Sequence, residues 1–141
     1  KSQNAKVKSA NQNAKVIMQN YSSKFKGDLR ERCYKFGLQI ISMEDSLPNK
    51  RSAYIISDQL IRSATSIGAN IIEARAASSR LEFKKFYEIS LKSANETKYW
   101  LSLLKDAALV DGEKIDELIQ EVTEISNILA KSVLTLKSKK L

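Results

Sequence analysis

Histidine is absent from this chain, and its 141 residues hold only one cysteine, one proline and four glycines. Without His there is no Ser-His-Asp or Cys-His catalytic arrangement, no HExxH zinc motif and no Glu-x-x-His di-iron motif. One Cys makes neither an intrachain disulfide nor an all-cysteine metal cluster. So little Gly and Pro leaves scant material for phosphate-cradling loops or for a turn-rich β fold. No apolar run approaches the roughly 20 residues of a membrane span, and the opening KSQNAKVKSANQNAKV lacks the apolar stretch of a signal peptide. That opening is basic and free of acids, but it has no Arg, which argues against a transit peptide. The lone Cys33 fits a reducing cytoplasm, where it reads as a small core hydrophobe rather than a reactive thiol. No cofactor, metal site or catalytic group is expected.

What remains is an ordinary globular composition, 43% hydrophobic and 28% charged, long enough for one domain. The pentapeptide QNAKV occurs at Gln3–Val7 and again at Gln12–Val16, ahead of the first Met at Met18. Residues 1–17 therefore read as a leader upstream of the natural start or as a low-complexity arm. The expected division is a basic arm over residues 1–24, a helical domain over 25–137 and a basic tail over 138–141.

The domain is helical four times over. Leu29, Cys33, Phe36, Ile40, Met43 and Leu47 recur every three or four residues, the seam of an amphipathic helix from about Asp28 to Ser46, and Pro48 ends it. A second helix runs from about Lys50 to Ala77, with Ala53, Ile56, Leu60, Ala64, Ile67, Ile71 and Ala74 as its stripe. Its small residues, Ser63, Ala64, Ser66, Gly68 and Ala69, admit a close neighbour; Gly68 costs about 1 kcal/mol against Ala in a helix, so close contact is expected there. A third helix opens at Ser79, an N-cap with Glu82 at the N3 position. Phe83, Tyr87, Ser90, Ala94, Thr97, Leu101, Leu104 and Ala108 form one stripe, and Phe86, Ile89, Ser93, Trp100 and Leu103 a second. A fourth follows Asp111-Gly112, with Ile115, Leu118, Val122, Ile125, Leu129, Val133 and Leu136 facing the core. Short links force antiparallel neighbours, so the predicted fold is all-α, an up-down-up-down four-helix bundle.

The net charge of +8 is unevenly spread. Residues 1–27 carry six Lys and residues 131–141 four, with no acid in either stretch, so the chain between them sums to −2. In an up-down-up-down bundle both chain ends share a pole with the turn between the second and third helices. That turn brings Arg75, Arg80, Lys84 and Lys85; the first helix brings Arg30 and Arg32; the tail brings Lys137, Lys139 and Lys140. The opposite end should be acidic, near Asp106, Asp111, Glu113, Asp116 and Glu117. A basic pole attracts phosphate backbones without reading sequence. Solubilising, lysine-rich ends would give the same composition.

A polar stripe of Gln59, Arg62, Ser66, Asn70 and Glu73 runs along the second helix, and Asn95 and Glu96 sit on the third. It reads as an exposed face or as a network between helices or subunits. Glu73 and Glu96 are a weak catalytic pair, since no nucleophile or metal set accompanies them. The aromatic group Phe83, Phe86, Tyr87, Tyr99 and Trp100 could stack bases, but at helical spacing it reads as core or subunit interface.

Two runs carry a family resemblance. They are Tyr54-Ile-Ile-Ser-Asp-Gln-Leu-Ile-Arg-Ser-Ala-Thr-Ser-Ile-Gly-Ala-Asn-Ile-Ile-Glu73 and Ser79-Arg-Leu-Glu-Phe-Lys-Lys-Phe-Tyr-Glu-Ile-Ser-Leu-Lys-Ser-Ala-Asn-Glu96. Together they resemble the bacterial four-helix bundle proteins encoded in intervening sequences of 23S ribosomal RNA genes. The matching positions are Gln59, Arg62, Ala64, Ser66, Ile67, Asn70, Ile71 and Glu73, then Phe83, Phe86, Ala94 and Glu96, within a similarity spanning about residues 25–137. Gly68 and Ala74 stand where the family usually has Pro and Gly, which weakens the case for a kink or sharp helix end. The resemblance implies a homopentamer of antiparallel bundles and a link to RNA or DNA. A related branch, the accessory proteins of diversity-generating retroelements, binds a reverse transcriptase and RNA, so a protein-interaction scaffold is the alternative reading.

Overall fold

The computed structural model describes residues 28–138. The arm assigned to residues 1–24, and Lys139 and Lys140 of the tail, lie outside the described residues. Within them are four helices: α1 (Asp28–Met43), α2 (Arg51–Arg75), α3 (Arg80–Asp106) and α4 (Gly112–Ser138). A 3₁₀ turn, Glu44–Ser46, finishes α1, so the first helix tightens in its last turn rather than remaining α-helical to Ser46.

Local chemistry accounts for the ends. Leu47 turns to an extended conformation ahead of Pro48, which cannot continue a helix. The Ser79 hydroxyl accepts from the Glu82 backbone N–H at 3.1 Å and caps α3 as expected. The far end of α3 departs from expectation. Ala108 does not extend the apolar stripe: the helix stops at Asp106, and Ala108 is exposed with φ 55°. Leu109 N–H donates to the Leu104 carbonyl and Ala108 N–H to that of Lys105, at 3.0 and 2.9 Å, which is a Schellman ending with Ala in the left-handed position.

Side-chain pairs give the direction of the helices. Advancing along α2, Ser63 meets Thr97, Ser66 meets Ser93 and Ile67 meets Ser90, so α3 is traversed in reverse. Lys98 with Ser126 and Lys105 with Asp116 show the same reversal between α3 and α4. The bundle is antiparallel and up-down-up-down, with α2–α3 its most extensive seam.

The core lies on the predicted faces. Phe36, Ile40, Leu60, Ile67, Leu101, Leu104, Ile115, Ile125 and Leu129 are all fully enclosed. Burial of these side chains at about 25 cal/mol per Å² of apolar area is the main drive to fold. Helix α2 runs unbroken through Gly68, whose value lies in closeness: a Cβ there would sit 3.3 Å from Cys33 Cβ. Cys33 is buried, and burial, followed by the nearby Glu121 charge, pushes its thiol up to about 12. It is a packing residue at neutral pH. No helix among the described residues is long and apolar enough to cross a membrane.

The left-handed Ala108 gives a direct test. An L side chain in this region costs about 1–2 kcal/mol, partly offset in a substitution by glycine's greater freedom when unfolded. Ala108→Gly should therefore stabilise the protein by about 0.5–1 kcal/mol, read as a higher urea midpoint with unchanged slope.

Candidate nucleic-acid interface

The antiparallel order brings the start of α1, the end of α2, the start of α3 and the end of α4 to one pole. Arg75, the last residue of α2, is exposed, as are Lys85 and Lys137; Arg30, Arg80 and Lys84 are half-buried. The Nε of Arg80 is shielded from solvent and meets no hydrogen-bond acceptor. The opposite pole carries exposed Asp106, Asp111, Glu113, Asp116 and Glu117, and Lys105 bridges to Asp116 there at 2.6 Å. That hydrogen bond, and the Asp116 charge, raise the Lys105 pKa above its ordinary value.

Two details differ from the simple picture of a basic end. Arg32 was expected among the phosphate contacts, but its guanidinium is committed within the chain. It forks onto Glu121 at 2.9 and 2.7 Å and reaches Glu124 at 2.9 Å. These hydrogen bonds hold its pKa above the usual range for Arg. The clasp joins α1 to the middle of α4 and neutralises Arg32 locally. The sequence gives no sign of it, because the partners lie about ninety positions apart. Secondly, the N-terminus of α3 is partly satisfied from inside. Glu82 N–H is taken by Ser79, and the Glu82 carboxylate accepts from Ser78 at 3.1 Å. The field at this end is therefore carried by Arg and Lys side chains more than by the helix terminus.

The polar stripe of α2 resolves into two clusters on the α2–α3 seam. In one, Arg62 donates to Gln59 at 3.2 and 2.9 Å and pairs with Glu96, whose carboxylate also accepts from Trp100 Nε1 at 2.8 Å. In the other, Asn70 donates to the Ser66 carbonyl and hydroxyl at 2.8 and 2.9 Å, and Ser93 donates to the same hydroxyl at 2.9 Å. Trp100 and Ser93 were not anticipated, although both are within one turn of Glu96. Glu73 is exposed and takes no part in either cluster. It lies eleven residues beyond Arg62 on α2, roughly 16 Å at 1.5 Å per residue, so it shares no site with Glu96. Among the described residues, no group of three or more His, Cys, Asp or Glu could hold a metal ion.

The family model for the 23S rRNA-intervening sequence protein matches residues 26–131. The chain belongs to that family. Among solved structures, it is similar to a protein of unknown function from the S23 ribosomal protein family of Bacteroides thetaiotaomicron. The two are 36% identical with a TM-score of 0.70, over 75% of this chain and 98% of that one. No curated protein matches. The family member described here thus shares a fold with a protein whose own function is unknown.

The Arg32 clasp is measurable. A double-mutant cycle with Arg32→Gln and Glu121→Gln in urea unfolding should give a coupling of about 0.5–1 kcal/mol that shrinks at high salt.

Proposed function

We propose that this family member is a non-catalytic, homo-oligomeric RNA-binding protein of the bacterial cytoplasm, associated with a 23S rRNA intervening sequence. Its basic pole holds the phosphate backbone. The observation that carries this reading is the gathering of Arg75, Arg80, Lys84, Lys85 and Lys137 at one end of the bundle, with the carboxylates of the α3–α4 turn at the other. Arg30 adds to this end, and Lys139 and Lys140 continue the sequence beyond Ser138. Arg32 is left out because Glu121 and Glu124 engage it. Such a surface binds by counterion release, which depends on charge and salt rather than on base identity.

The oligomer has its own support. Ile55 continues the Gln59–Arg62–Ser66 stripe at 52% exposure, and Ile89 continues the Ser93–Glu96–Trp100 stripe at 45%. Apolar side chains flanking a hydrogen-bonded centre on the outer α2–α3 seam suit a subunit contact. Five subunits is the number that the family resemblance implies.

The decisive experiment is binding of the full chain to labelled RNA as salt is varied. Affinity should fall steeply with salt. Replacing Arg75, Lys84 and Lys85 with Glu should weaken binding at least tenfold on every sequence and flatten the salt slope. Absence of binding at low salt overturns the reading. Sedimentation should give a mass of about 80 kDa, five times the 15.9 kDa chain; a monomer overturns the oligomer.

A further inference from the structure

Near the basic pole, α3 and α4 border an open groove of about 400 Å³. From α3 it is lined by Phe83 and Tyr87, one turn apart, their rings stacked with centroids 4.7 Å apart and planes 23° from parallel. Ile128, Lys131, Thr135 and Leu136 of α4 line it from the other side. The periodicity of α3 assigned both rings to core or subunit interface. They are in fact half-buried: Tyr87 packs against the core on one side, and both rings border the groove.

The groove's chemistry is selective. It offers flat aromatic surface, aliphatic surface, hydroxyls and one ammonium, and no carboxylate lines it. Its surroundings are cationic too. Burial is the first cause raising the Tyr87 phenol above its ordinary pKa, and the charges of Arg75 and Arg30 act on it in the opposite direction. Both guanidinium groups are therefore within electrostatic reach of the ring. An apolar peptide would gain nothing from that field, whereas a planar base joined to phosphates gains from ring and charge together.

We propose that this groove takes an unpaired base of a single-stranded nucleic acid, which extends the Phe83–Tyr87 stack from its open side, with Lys131 against the adjoining phosphate. The proposal rests on the basic pole being the nucleic-acid surface, and it adds a preference that charge alone does not supply. Duplex bases are already stacked on one another and offer only edges and backbone, so the rings give the pole a bias towards unpaired strands. Because every base has a stacking face, single-stranded RNA and DNA should benefit alike.

The test measures affinity of the full chain, at about 50 mM salt, for an unstructured RNA of about twelve nucleotides, the DNA of the same sequence and the matching RNA duplex. The variant Phe83→Leu/Tyr87→Leu keeps apolar bulk but removes both rings; Tyr87→Phe keeps the ring, and thermal melts establish that each is folded. The expected result is a loss of about tenfold or more on both single strands for the double variant, little change on duplex, and near-wild-type binding by Tyr87→Phe. Unchanged single-strand affinity in the double variant overturns the proposal. So does an equal loss on duplex, or an altered sedimentation mass with unaltered binding, which would make the groove a subunit contact. If Tyr87→Phe binds single strands as poorly as the double variant, stacking is likewise overturned. Failure of the wild-type chain to bind any of the three removes the basic-pole reading itself. Binding lost on charge reversal at Arg75, Lys84 and Lys85 but untouched by ring removal overturns stacking alone.

Discussion

Ser63 and Thr97 meet in the middle of the α2–α3 seam with their hydroxyl oxygens 2.9 Å apart, both fully buried, and a few residues on Ser90 donates to the Ile67 carbonyl at 2.8 Å. A buried hydroxyl without a partner costs about 1–3 kcal/mol; Ser90, whose acceptor lies on α2, would lose it if one helix slid along the other, and Ser63 and Thr97 would be left only the carbonyls of their own helices. An aliphatic seam tolerates such sliding far better. Small side chains here let the helix backbones approach closely, and directional donors then fix the axial position. Placements further along the seam follow from that register: Arg62 against Glu96, Arg75 and Arg80 at the ends of the two helices, and the groove where α3 faces α4. With both longest faces of α2 and α3 thus matched, α1 and α4 complete the bundle from the two sides.

Much of this architecture was legible in the chain. Apolar spacing located all four helices and nearly the whole buried set, because a helix that packs on two neighbours around a shared core must place its large side chains on one face. Ser79 announced the start of α3 through its own capping chemistry. Gly68 signalled a close approach, and its neighbour proved to be Cys33. The end of α3 was misread because Ala108 has the right spacing for the stripe, while its conformation depends on the six-to-one hydrogen bond from Leu109 to Leu104. No periodicity argument reports a left-handed alanine.

The candidate site was less legible, for a reason specific to charge. Local sequence gives the sign of a side chain, but pairing across the bundle decides whether that charge faces outward. Arg32 and Arg75 look equivalent as letters. In the fold one is held by two carboxylates of α4, and the other is exposed at a helix end. The aromatic residues carried the same ambiguity. Spacing put Phe83 and Tyr87 on the core-facing stripe, and only the packing of α3 on α4 reveals the open groove beside them.

The division of charge between the two ends has a consequence that precedes any contact. A bundle about 40 Å long, from helices of 27 residues at 1.5 Å each, with cations at one end and carboxylates at the other, is a molecular dipole aligned with its own axis. In the field of a polyanion it experiences torque before touching it and turns basic end first. Orientation is thus acquired during approach, within a screening distance of about 8–10 Å at cellular salt. In an oligomer whose axes run parallel the subunit dipoles add, so assembly would sharpen the alignment as well as multiply the charge.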